Sequence, residues 1–139
     1  MIGMSRHVRS TGPGAQTVNT SGSYVNNTSA SELRIYTSPA NLIPNNTTWE
    51  VEIDGSADPE LNQLFFMLSW QLDPNPTDAN TYWYKKNGAI LGGLLTFNNE
   101  LITFTNNTGA TQRLYWYIGP TGSPCELVTY SFTGIIRPI

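Results

Sequence analysis

From Trp49 to Asp54 the chain alternates strictly: Trp49, Val51 and Ile53 are apolar, while Glu50, Glu52 and Asp54 are acidic. Successive side chains of an extended strand point to opposite faces, so this pattern makes one dry face and one wet face. On a helix of period 3.6 the same residues would scatter around the axis. The segment therefore reads as a half-buried strand, and a strand cannot stand alone.

The rest of the chain supplies its partners. Leu33, Ile35 and Thr37 alternate with Arg34 and Tyr36. Residues 63–72 are apolar on both faces, with Leu64, Phe66, Leu68, Trp70 and Leu72 on one and Phe65 and Met67 on the other. That suits a central strand covered on both sides. Further strands read over 80–86, 94–97, 101–104, 111–118 and 126–136. Asn87-Gly88 and Asn98-Asn99 read as tight hairpins, residues 106–109 as a turn, and Gly92-Gly93 as a bulge or a corner where the chain changes sheet. About eight strands over 33–137 with short connections predict an all-β, antiparallel β-sandwich, jelly-roll-like. In jelly-roll order, strands one, eight, three and six form one sheet and strands two, seven, four and five the other.

Composition narrows the function classes. Only 12% of the 139 residues are charged, about half the usual ~25%, and Asn, Ser and Thr supply 42 residues. The net charge of -3 leaves no basic field for nucleic acid. No apolar run approaches the ~20 residues of a membrane span. The first 25 residues contain no apolar signal-peptide core, so production without secretory processing is expected. The N-x-S/T triplets at Asn19, Asn26, Asn27, Asn45, Asn46 and Asn106 then carry little meaning.

Residues 1–30 differ from the rest, being rich in Gly, Ser, Thr and Asn and poor in large apolar groups. They read as an extended N-terminal arm, with 31–139 as a single sandwich domain. Arg6, His7 and Arg9 give the arm a basic character and make it the candidate for contacts with a partner.

No catalytic or cofactor constellation appears. His7 is the only histidine and Cys125 the only cysteine, so neither a fixed nucleophile–base pair nor a zinc site is expected. Glu50, Glu52 and Asp54, followed by Asp58 and Glu60, match no carboxylate motif. They read as a solvated or edge-protecting face, with a basic arm of a neighbouring copy as a second use. On strand seven Leu114, Trp116 and Ile118 share the core face, which turns Arg113, Tyr115 and Tyr117 outward. Strand four carries a second Tyr-Trp-Tyr, and with Trp83 inward, Tyr82 and Tyr84 join them. These five residues are the candidate subunit-contact or ligand patch. Aromatic rings are enriched at interface cores and also stack on sugars.

A slightly basic Gly/Ser/Thr-rich arm at 1–30, followed by one sandwich over 33–137 with a polar uncharged surface, resembles the small capsid decoration (cement) proteins of tailed bacteriophages. The resemblance is of whole-chain organisation. It implies a homotrimer seated on the virion surface, with the major capsid protein and copies of itself as partners, no cofactor, no nucleic acid and no membrane. A carbohydrate-binding or lectin-like module, and another tail or fibre subunit, are the alternatives.

Overall fold

The alternation of Trp49, Val51 and Ile53 places all three side chains in the interior of a strand, β3, that runs over Thr47–Pro59. A computed structural model describes residues 14–38 and 42–139. Around β3 lie β1 (Gln16–Asn26), β2 (Leu33–Thr37), β4 (Leu64–Ser69), β5 (Tyr84–Asn87), β6 (Leu95–Asn106), β7 (Tyr115–Pro120) and β8 (Glu126–Pro138). They form two antiparallel four-stranded sheets, β1-β8-β3-β6 and β2-β7-β4-β5. This is the jelly-roll order, with no helix among the described residues.

The expected order holds, but with different strands. β1 lies inside the segment expected as an arm. Residues 16–26 pair with β8 along eleven positions, from Gln16↔Ile136 to Asn26↔Glu126. Polar residues suffice there because β1 is an edge strand. Val18 enters the core and most of the other side chains stay at the surface. The arm reading over 16–26 is thereby corrected, and Arg6, His7 and Arg9 lie outside the described residues.

The segments 94–97 and 101–104 are one strand, not a hairpin. Leu95 and Phe97 point inward, and so do Ile102 and Phe104, on the opposite parity. A bulge reconciles the two phases. Ile53 faces Glu100 while Gly55 faces Phe97, with Gly55 at φ 132° and Asn99 at φ 50°. Asn tolerates this left-handed conformation better than most residues. Asn87-Gly88 likewise closes no hairpin: β5 and β6 belong to different sheets, and the chain crosses between them near Gly92-Gly93, both at positive φ.

The core lies between the sheets. Trp116 is fully buried at its centre, 4.9 Å from Tyr36 and 5.8 Å from Phe66 by ring centroids. Phe66 in turn meets Phe97 edge-on at 4.8 Å. All six residues of β4 are buried, as its two-sided apolar pattern predicts.

Candidate functional site

The outer face of the β2-β7-β4-β5 sheet carries a second, smaller apolar cluster. Phe65, Met67 and Tyr117 form it, with Tyr82 and Tyr115 packed alongside. The chain after β4 folds over this face, where the Tyr117 hydroxyl donates to the carbonyls of Leu72 and Gln71. Tyr117 is only 4% exposed, and burial pushes its phenol up to about 12. Cations border the cluster. Lys85 Nζ lies 4.9 Å from the Phe65 ring and 5.8 Å from the Tyr82 ring, and the Arg34 guanidinium 5.8 Å from Tyr115.

The five patch residues thus separate. Tyr82, Tyr115 and Tyr117 share the outer face. Tyr84 does not: it stands opposite Leu68 on β5, packs toward the main core, and its hydroxyl donates to Glu100 Oε2 at 3.3 Å. Arg113 precedes β7 and donates to the Ser38 carbonyl at 2.6 Å. The two Tyr-Trp-Tyr segments are not on neighbouring strands either, since β4 runs between β5 and β7. The segment 80–83, read as strand, is mostly loop.

The acidic face has a partner from within. Arg137 lies directly across from Glu50 on β8, and its buried guanidinium pairs with Glu50 and, at 3.1 Å, with Glu52. Among the described residues no group of three metal-ligating side chains gathers. Cys125 is buried, burial pushes its thiol up, and its Sγ faces the Gln63 carbonyl at 3.5 Å. That is an inert thiol's setting.

Sequence reasoning missed two further features. One end of the sandwich is apolar at its tips. Ile90 and Leu91, in the β5–β6 connection, are 88% and 90% exposed. The β3–β4 and β7–β8 connections adjoin them. Asn62 donates to the Pro124 carbonyl and Leu61 N–H to that of Cys125, while Ile90 borders a cleft shared with Thr121 and Ser123. Val25 and Leu127, a cross-strand pair on β1 and β8, are exposed as well. Ile90 and Leu91 sit beside a Gly-Gly pair in a loop, where an apolar dipeptide has no structural use. That mismatch was the available signal.

The other end holds a cavity of about 410 Å³. Trp70, Trp83 and Tyr82 give it aromatic walls, and Gln71, Asn80 and Asn107 give it amides. Its backing is rigid: Trp83 stacks on Phe104 at 4.6 Å, and Trp70 lies 5.6 Å from Trp83.

The sequence matches no family model and no curated protein. Several solved structures align with most of this chain. A periplasmic inhibitor of g-type lysozyme from Aeromonas hydrophila shares 14% identity at a TM-score of 0.47, over 92% of this chain and 90% of that one. A Bacillus endospore appendage, of a family of disulfide-linked pili, shares 8% at 0.41, over 90% and 88%. A chain of infectious bursal disease virus, Gx strain, shares 11% at 0.46, over 88% of this chain and 32% of that chain. The present chain therefore spans about a third of the viral chain it matches.

Proposed function

We propose that the chain is a non-enzymatic structural subunit of a virion. In this reading it is a capsid decoration (cement) protein that binds the major capsid protein and copies of itself as a homotrimer. The observation that carries the reading is the exposure of Ile90 and Leu91. Two large aliphatic side chains at a loop tip are a cost in water and a contact once covered. The low surface charge fits the same use, because wide contacts rich in Asn and Thr hydrogen-bond directly or through water. A lattice of such subunits gains avidity without strong single contacts. Arg6, His7 and Arg9 belong to the segment preceding Gly14. In this proposal they reach a neighbouring subunit, leaving from the end of β1 remote from Ile90.

The test uses full-length chain and shells of the parent virus assembled without it. Saturable binding at a fixed ratio to the major capsid protein, with a raised shell melting temperature, is the expected result. The I90D/L91D double variant should lose both while remaining folded. Absent or non-saturable binding by the unaltered chain overturns the reading.

A further inference from the structure

We propose that the cavity between the β4–β5 and β6–β7 connections is a binding site for a neutral saccharide. It goes beyond the structural role above and rests on different residues.

The first argument is the chemistry of the walls. A pyranose ring presents C–H groups on its faces and hydroxyls around its rim. Rings such as Trp70, Trp83 and Tyr82 offer the π-surface that C–H groups contact. Side-chain amides suit hydroxyls, since each amide carries both an acceptor and two donors. Gln71, Asn80 and Asn107 line the cavity, and their amide groups bond no other described residue. Among the described residues no charged side chain lines it, so these walls offer an anion or a cation no counter-charge. Its volume falls within the ~300–1,000 Å³ range of small-molecule sites.

The second argument is that both loops are already set. Asn75 Oδ1 accepts from the Thr77 N–H at 3.0 Å and the Thr77 hydroxyl at 2.8 Å, an Asx turn. The Thr81 hydroxyl donates to the Asn75 carbonyl at 2.7 Å, and Ser69 Oγ donates to the Thr81 carbonyl at 2.6 Å. On the facing loop, the buried Asn106 amide donates to the carbonyls of Ile43 and Ala110, both at 2.9 Å, and its Oδ1 accepts from the Thr108 N–H. A site whose loops are held before the ligand arrives loses less entropy on binding. The free amides of Gln71, Asn80 and Asn107 are not needed for this scaffold.

Of the tyrosine patch, the cavity keeps only Tyr82. Tyr117, the patch residue most deeply placed, is only 4% exposed, so its ring presents no open platform.

The experiment is a titration of the full-length chain, followed by tryptophan fluorescence. The probes are glucose, galactose, mannose, N-acetylglucosamine, N-acetylgalactosamine and their short oligomers. Saturable change with at least one probe, at a Kd of about 1 mM or tighter, is expected. The Q71A/N107A double variant should weaken that binding at least tenfold with an unchanged melting temperature, because both residues are exposed. Tyr115→Ala should leave it unchanged. The proposal is overturned if no probe gives a saturable response, if Q71A/N107A binds like the parent chain, or if sialic acid or heparin binds more tightly than every neutral probe. Shell binding by I90D/L91D is unrelated to these outcomes, so the two proposals fail separately.

Discussion

Gly134 faces Trp116 across the interior of the sandwich. A Cβ at position 134 would stand 3.2 Å from the indole and 2.6 Å from the Glu52 carbonyl oxygen. The carbonyl is backbone and has no room to yield. Gly134→Ala should therefore destabilise by about 1–3 kcal/mol through overpacking. In urea unfolding the midpoint falls with little change in slope. Gly122→Ala, with nothing within 4 Å, is the control and should stay within about 0.5 kcal/mol.

Asn26 is fully buried at the end of β1. Its Oδ1 accepts from the Cys125 N–H at 2.7 Å, and its Nδ2 donates to the Ser31 carbonyl at 2.6 Å. Asn26→Ala leaves a buried donor and acceptor unmet, at a cost of about 1–3 kcal/mol. Faster exchange of the Cys125 amide, with the Trp116 amide unaffected, would locate the loss there. An unchanged Cys125 amide contradicts it.

Removing residues 1–26 deletes β1 and strips β8 of its edge partner along eleven paired positions. The exposed β8 is long and β-prone, the setting for edge-to-edge association. The truncated chain should aggregate or melt well below the parent. A soluble, unshifted product would show that β1 is dispensable.

Burial pushes Tyr36, Tyr84 and Tyr117 up to about 12 each, helped at Tyr84 by the neighbouring Glu100 carboxylate. In the unfolded chain phenols titrate near ~10. The folded state keeps these protons after the unfolded state has begun to lose them. Their contribution is therefore complete below pH ~10 and declines as pH rises toward ~12. Phenolate absorbance of the folded chain should rise in two stages, the later one coinciding with unfolding. Titration of all seven tyrosines together near pH 10 contradicts the burial.

The sandwich was legible because its signals are local. Trp49-Val51-Ile53 and the two-sided run at 64–68 read as strands and are strands, while the count of eight matches only because the omission of β1 offsets the reading of β6 as two strands. Three features were hidden for identifiable reasons. β1 is polar because an edge strand with one deeply buried apolar residue, Val18, needs little more. β6 looked like a hairpin because its bulge uses Asn99 in a conformation also found in turns. The cavity was invisible because its walls, Trp70, Trp83 and Asn107, come from three separate stretches that only the fold brings together. The patch was half legible: strand parity placed Tyr115 and Tyr117 correctly, while Tyr84 turned inward because β5 begins only at that residue.

The central claim is that the apolar end bearing Ile90 and Leu91 is covered by protein. Its most direct test is the mass of the full-length chain in solution by sedimentation equilibrium. A closed trimer of 15.4 kDa chains, about 46 kDa, is expected for the parent chain and a monomer for I90D/L91D. A parent chain that remains monomeric at every concentration, and sediments like the double variant, would contradict the account.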